Sequence, residues 1–247
     1  DQCGDGDVDS PTVAGDVVFF TSSNSLCAIE AQTGTERWRF TTDGAVSAPA
    51  VADSVVYFGD DDGYVYAIEV ESGTERWRFA AGVGVSEPAV AAGMVFIGSD
   101  DGSTYAIDAE TGAERWRFTT DDSFSYASPA IVDDVVYIGG ASGDLYALGA
   151  ESGTERWRFA SGSDMTAPRA AIGDGIVFVV SNHSSSGAGI LHAIDAESGT
   201  ERWQFTTATA GSNSSSIDPM FFSSPTIADG VVYINSDDGY LYAIDTQ

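Results

Sequence analysis

Tryptophan recurs along this chain at nearly constant intervals: Trp38, Trp77, Trp116, Trp157 and Trp203 are spaced 39, 39, 41 and 46 residues apart. Periods of this length mark stacked units, none of which can bury its apolar face alone. Eleven residues before each Trp stands Cys27, Tyr66, Tyr105, Tyr146 or His192, and Tyr242 continues the series. Pro11, Pro49, Pro88, Pro129, Pro168 and Pro225 open the units, so six of them tile the 247 residues. The markers predict one domain over 1–247, with repeats at 10–47, 48–86, 87–127, 128–166, 167–223 and 224–247.

Within a repeat the pattern has period two. The second repeat reads Pro49-Ala50-Val51, Val55-Val56-Tyr57-Phe58, Tyr64-Val65-Tyr66-Ala67-Ile68 and Arg76-Trp77-Arg78-Phe79. These are four short strands rich in β-branched and aromatic residues. Asp53-Ser54, Asp60-Asp61-Asp62-Gly63 and Glu71-Ser72-Gly73-Thr74 supply the turns between them. No segment carries a helical period. Four antiparallel strands repeating near 40 residues predict an all-β fold, a β-propeller of about six four-stranded blades.

The run Ala106-Ile107-Asp108-Ala109-Glu110-Thr111-Gly112-Ala113-Glu114-Arg115-Trp116 resembles the tryptophan-docking motif A-x-D-x-x-T-G-x-x-x-W of quinoprotein-like (PQQ-repeat) β-propellers. Four other repeats match with departures: Glu30 and Glu69 replace the Asp, Gly149 has no carboxylate, and Ser72, Ser152 and Ser198 replace the Thr. The resemblance implies that Trp38, Trp77, Trp116, Trp157 and Trp203 each dock against a neighbouring blade. A Trp buries about 150–250 Å², a large share of such a joint. It does not imply bound quinone, because a fold hosts unrelated chemistries. The adjacent-cysteine pair of many quinone-dependent dehydrogenases is missing here.

The last repeat stops at Asp245-Thr246-Gln247, halfway through the motif. Counting back from Pro11 by the nine positions that separate Phe40 from Pro49 reaches Gln2, so the head of the chain supplies only a connecting loop. The sixth blade is therefore expected to lack its outer strand. A six-bladed ring with one three-stranded blade is the favoured reading. A piece of a seven- or eight-bladed parent stays open, since the dehydrogenases of the family have eight blades. The start at Asp1, without an initiator Met or signal peptide, reads as a mature or excised segment.

Thirty-eight acids face ten bases for a formal charge of −28, and every base is Arg. That field repels phosphate backbones and anionic headgroups, so nucleic acid is not an expected partner. No apolar run approaches the roughly 20 residues of a membrane span, so no membrane insertion is expected. Asp outnumbers Glu by 26 to 12. At about 1 M salt the Debye length shrinks to about 3 Å and the self-repulsion is screened. This composition resembles that of proteins from halophilic archaea; an ordinary acidic secreted protein is the alternative. The expected location is extracellular or on the cell surface, although a salt-accumulating cytoplasm would select the same acidity.

Nine of the ten Arg lie in the Glu-Arg-Trp-Arg/Gln strands, opposite the Trp and Phe face, and read as structural ion-pair partners. Arg169 is the tenth. It follows Pro168 on an innermost strand, where it either meets an anion in the channel or pairs with a channel Asp. His183 lies in a polar insertion and His192 replaces a strand Tyr; together they make no zinc site or catalytic triad, and no catalytic residue is assigned. Asp5, Asp7 and Asp9 alternate like the start of a calcium loop, and Asp60-Asp61-Asp62-Gly63 is a weaker version. Solvated turns explain both runs in so acidic a chain, so no cofactor is expected, with calcium left open and PQQ disfavoured. Cys3 and Cys27 either form one disulfide or leave Cys27 a buried thiol. Asn182 and Asn213 head glycosylation sequons within two long insertions.

Those insertions, residues 181–189 and 206–223, are expected to emerge on one face around the channel mouth. Variation concentrated on one face of a repeat fold marks a binding surface. Phe124, Tyr126, Met165, Met220, Phe221 and Phe222 fall in loops of that face, where they either anchor a partner or fold back into the channel mouth. The expected function is a non-enzymatic secreted or cell-surface scaffold that binds protein, peptide or glycan there. An extracellular sensor domain of a larger receptor and a fragment of a PQQ-dependent dehydrogenase are the alternatives.

Overall fold

The computed structural model describes residues 11–124, 127–162, 170–182, 189–207, 224–236 and 239–246. All regular structure among them is β-strand, one antiparallel sheet per repeat. The chain divides into two compact units, Asp1–Tyr126 and Ala127–Gln247.

The first unit holds three four-stranded sheets. Blade one is β1 (Thr12–Ala14), β2 (Val17–Ser22), β3 (Ser25–Glu30) and β4 (Glu36–Thr41). Blade two is β5 (Ala50–Ala52), β6 (Val55–Gly59), β7 (Tyr64–Glu69) and β8 (Glu75–Ala80). Blade three is β9 (Ala89–Ala91), β10 (Met94–Gly98), β11 (Ser103–Asp108) and β12 (Glu114–Thr119).

The second unit holds blade four, of β13 (Ala130–Val132), β14 (Val135–Gly139), β15 (Asp144–Gly149) and β16 (Glu155–Ala160). Blade five is β17 (Ala171–Gly173), β18 (Ile176–Asn182), β19 (Gly189–Asp195) and β20 (Glu201–Thr206). Blade six has three strands, β21 (Thr226–Ala228), β22 (Val231–Asn235) and β23 (Leu241–Asp245). This is the blade organisation that the repeat predicts, short sixth sheet included.

Turn chemistry sets the hairpins. Asp53-Ser54 and Asp133-Asp134 both hold positive φ at two successive residues, as do Asp174-Gly175 and Asp229-Gly230. Two such residues make the turn whose twist matches the flanking strands, and Asp and Gly tolerate it best. A feature absent from the sequence pattern recurs between the third and fourth strands. In blade two Ala67 pairs with Trp77 but Ile68 pairs with Glu75, so Arg76 is an extra residue in a bulge. The same shift occurs in blades one, three, four and five. A bulge turns its extra side chain out of the pleat, and here that side chain is always Arg.

Each sheet is apolar on both faces. In the first unit Val17, Phe19, Leu26 and Ala28 of blade one pack with Val56, Phe58, Tyr66 and Ile68 of blade two. The other face of blade two, Val55, Tyr57, Val65 and Ala67, packs with Val95, Ile97, Tyr105 and Ile107 of blade three. The second unit repeats the scheme: Val135, Tyr137, Leu145 and Ala147 of blade four meet Val177, Val179 and Ile194 of blade five. Ile176, Phe178, Leu191 and Ala193 of blade five then meet Val232 and Ile234 of blade six. We call the face a blade turns toward the next blade in sequence its forward face. Burying each such side chain contributes about 1.5–3 kcal/mol, against 0–1 kcal/mol for an exposed ion pair, so these apolar joints dominate.

Candidate functional site

The joint between blades two and three shows how the motif residues act together. The Trp77 indole N–H donates to the Ala109 carbonyl over 3.0 Å, and the Tyr57 hydroxyl donates to the same carbonyl over 3.2 Å. The two rings lie 5.8 Å apart. Gly112 sits beneath the indole: a Cβ there would stand 2.8 Å from two Trp77 ring atoms. Trp38 reaches the Val70 carbonyl and Gly73 in the same way, and Trp157 reaches Ala196 and Gly199. The glycine of the motif is thus fixed both by φ near +70° and by the approach of the preceding blade's Trp. Trp116 packs near Phe96, ring centroids 5.9 Å apart, and Trp203 near Phe178 at 5.8 Å.

The motif's polar residues close a turn. Asp108 Oδ1 accepts from the Thr111 backbone N–H and hydroxyl, both at 2.8 Å, and Oδ2 accepts from Arg115. The Thr111 hydroxyl first, then the Arg115 guanidinium, hold the Asp108 carboxyl at about 2. Asp195 is lowered likewise by Arg202 and then by Ser198. Arg76 pairs with Glu69 and Arg37 with Asp16. Gly149 offers no carboxylate, and there the Arg156 guanidinium donates to the Asp134 carbonyl over 3.2 Å.

The Tyr column has its own acids. Tyr66 donates to the buried Asp60 over 2.9 Å, and Tyr105 donates to Asp101. Burial, reinforced by that bond, pushes the Tyr105 phenol up to about 12. Asp60 is therefore committed to the blade, its other oxygen accepting the Tyr64 N–H, and the weak calcium reading of residues 60–63 loses its first ligand. Among the described residues no group of three or more His, Cys, Asp or Glu is placed to hold a metal ion.

Blade five departs from this column. His192 takes the Tyr position, nearly buried, with its edge against Phe159 at 5.3 Å. Its Nδ1 lies 2.7 Å from Glu201 Oε1 and its Nε2 lies 2.8 Å from Ser181 Oγ. A carboxylate only accepts, so in the neutral ring Nδ1 carries the proton and Nε2 accepts the serine hydroxyl. Sequence reading found no serine–histidine–acid constellation, yet the fold assembles this one. Ser181 is 1% exposed, and its hydroxyl bonds the imidazole inside the blade. The chain does for this blade what Tyr66 and Asp60 do for blade two.

Of the binding-face residues only Phe124 is described, and it takes the inward of the two alternatives: it is fully buried, its backbone N–H bonded to the Ser99 carbonyl over 3.1 Å. An aromatic ring in a short connection gains more from folding inward than from standing in water. Tyr126, Met165, Arg169, Met220, Phe221 and Phe222 lie outside the described residues, as do Asp5, Asp7, Asp9, His183 and Asn213. Asn182 ends β18, its side chain outside the described set. Cys27 is buried and disulfide-bonded, while Cys3 lies outside the described residues. Among the described residues the first strands of the blades carry Thr, Val, Ala, Ile and Gly alone.

The sequence matches the family described as outer membrane protein assembly factor BamB in three overlapping stretches, residues 4–83, 47–158 and 141–247. The chain belongs to this family. Among solved structures, BamB from Moraxella catarrhalis is similar at 22% identity and TM-score 0.66, over 94% of this chain and 74% of that one. The computationally designed Ika8 protein is similar at 16% identity and TM-score 0.77, over 96% and 70%. The quinohemoprotein alcohol dehydrogenase from Comamonas testosteroni is similar at 15% identity and TM-score 0.71, over 91% of this chain and half of that enzyme. At these identities the likeness concerns the fold. No curated protein matches. The BamB-family assignment accounts for the repeat and its docking tryptophans.

Proposed function

We propose that this BamB-family chain is a non-enzymatic scaffold, secreted or exposed at the cell surface of a salt-adapted organism, that holds a protein, peptide or glycan on its loop-rich face. The observation that carries this reading is the commitment of the repeat's reactive groups to one another. Asp108, Asp195 and Glu69 hold arginines, Asp60 and Asp101 hold tyrosines, and His192 is held between Ser181 and Glu201. A blade whose polar groups are spent on its own turns supports other molecules without supplying chemistry. The described first strands offer neither an aromatic plane nor a carboxylate, which supports leaving PQQ and calcium out of this reading, and no catalytic step is derived through them.

Two measurements test the reading. Melting curves with and without PQQ and Ca²⁺ should coincide; a saturable stabilisation together with alcohol-dependent dye reduction refutes the non-enzymatic half. A photo-reactive amino acid at position 126 or 221, in cells producing the protein, should yield a discrete adduct that the same probe at Thr33, in a tight turn between the third and fourth strands, does not. Identical adducts from both faces, or none from either, refute the loop face.

A further inference from the structure

We propose that blade five carries a pH-sensitive latch, in which His192 takes the place of a permanently charged arginine as the cation of Glu201 and fastens the third strand to the fourth more tightly when protonated. The latch lies inside the blade and uses none of the loop-face residues, so it stands or falls apart from the partner-binding reading.

The other blades show what has been exchanged. In blades one, two and three an arginine directly follows the Trp and pairs with the glutamate that opens the same strand. Arg39 meets Glu36 over 3.0 Å, Arg78 meets Glu75 over 3.6 Å and Arg117 meets Glu114 over 2.9 Å. Across the ladder these arginines stand opposite Cys27, Tyr66 and Tyr105 of the third strand. Arg117 covers the Tyr105 ring 4.8 Å from its centre. A guanidinium is not deprotonated in proteins, so these glutamates have a charged neighbour at every pH at which they are ionised.

Blade five changes both members of the cross-strand pair at once. Where blades two and three place Tyr opposite Arg, it places His192 opposite Gln204. Glu201 opens β20 as Glu75 opens β8, but Gln204 brings it no charge. Its Oε1 is met instead by His192 Nδ1, at 2.7 Å. The imidazole is 3% exposed, so the contact is screened far less than a surface pair even at about 1 M salt. A fixed cation has been exchanged for one that exists only after proton uptake.

The surroundings of the ring set the sign. Ser181 of β18 lies 2.8 Å from Nε2, and the Phe159 ring of β16 lies 5.3 Å away; neither carries a charge. Charges farther along these strands have partners of their own, Arg158 lying 3.8 Å from Asp144 and Arg202 holding Asp195 over 2.7 Å. Glu201 is therefore the charge that these contacts bring to the imidazole. An opposite charge in contact favours the protonated ring, against the opposing pull of burial. The serine hydroxyl serves both forms, since it donates to the neutral Nε2 and accepts from the protonated one. Proton uptake thus turns the Glu201 contact into an ion pair and leaves neither ring nitrogen unmatched. The added stability is complete below pH ~6.5, down to where Glu201 itself is protonated, and is lost as pH rises through the value of the folded imidazole.

Proton NMR of the imidazoles in the intact protein tests the latch, with His183→Gln assigning the His192 signal. Glu201→Gln, nearly isosteric and at a side chain 34% exposed, should lower the midpoint of the His192 titration by about one unit, a tenfold change in proton affinity. Amide exchange, corrected for its intrinsic pH dependence, should be about tenfold slower in β19 and β20 at pH ~5.5 than at pH ~8, and unchanged in β7 and β8. The double variant His192→Tyr with Gln204→Arg installs the pair of blade three and should remove that pH dependence while β20 stays protected. A His192 midpoint that Glu201→Gln leaves in place or raises overturns the proposal. So does exchange in β20 that ignores pH in the unaltered protein, or that follows pH equally in the double variant.

Discussion

The motif glycine offers a direct measure of what the tryptophan joint contributes, because the chain contains its own control. Gly112 (φ +72°) and Gly34 (φ +69°) sit in the same turn of the third and first repeats. A Cβ on Gly112 would approach two Trp77 ring atoms to 2.8 Å, whereas a Cβ on Gly34 meets nothing within 4 Å. Gly34→Ala therefore suffers only the left-handed backbone, about 1 kcal/mol. Gly112→Ala suffers that plus overpacking against an indole held by its bond to Ala109, a further 1–3 kcal/mol or so. The expected losses are about 1 kcal/mol and about 2–4 kcal/mol, read from urea unfolding at one fixed salt concentration. In a Trp77→Ala background the Gly112→Ala change should cost only the backbone part, leaving a coupling of about 1–3 kcal/mol in the double-mutant cycle. Equal losses for the two glycines, or a Gly112→Ala cost that ignores Trp77, would refute the claim that indole and glycine form one joint.

Other consequences follow from the polar groups. Asp108 and Asp195 titrate below the ordinary carboxylate value, so their stabilisation is present above pH ~4 and is lost as pH falls toward 2; D108N should flatten the acid limb of a stability–pH profile. Tyr105 is shifted the other way, so its contribution is complete below pH ~10 and is lost as pH rises toward 12; a spectrophotometric titration should show a late phenol that Y105F removes. His192→Ala strips partners from Ser181 and Glu201 and the edge contact from Phe159, and should cost about 2–3 kcal/mol by denaturant unfolding. With a formal charge of −28, the melting temperature should fall on transfer from about 2 M salt to dilute buffer; no change would refute saline adaptation.

The strands were legible because a half-buried strand writes its pleat into the sequence, and Val55-Val56-Tyr57-Phe58 between two Asp-rich turns admits little else. The tryptophan joints were legible for the same reason, through a motif repeated five times. What the pattern conceals is anything one residue wide or set by pairing across a hairpin. The bulge at Arg76 leaves the alternation of Arg, Trp and Phe intact to the eye, yet it lets Arg76 reach Glu69. Ser181 and His192 are eleven positions apart, and only the pairing of Val180 with Leu191 beside them makes them neighbours. The register that replaces Tyr with His was visible; the serine and glutamate that satisfy both ring nitrogens were not. For Phe124 a loop position left both directions open, and its ring turns inward.

The distribution of charge sets the terms on which anything binds. Arginine is this chain's only cationic residue besides His, and Arg37, Arg76, Arg115 and Arg202 are drawn into turns or neighbouring acids of the blades themselves. With a formal charge of −28, long-range attraction should favour cationic partners and fall away as salt shortens the Debye length.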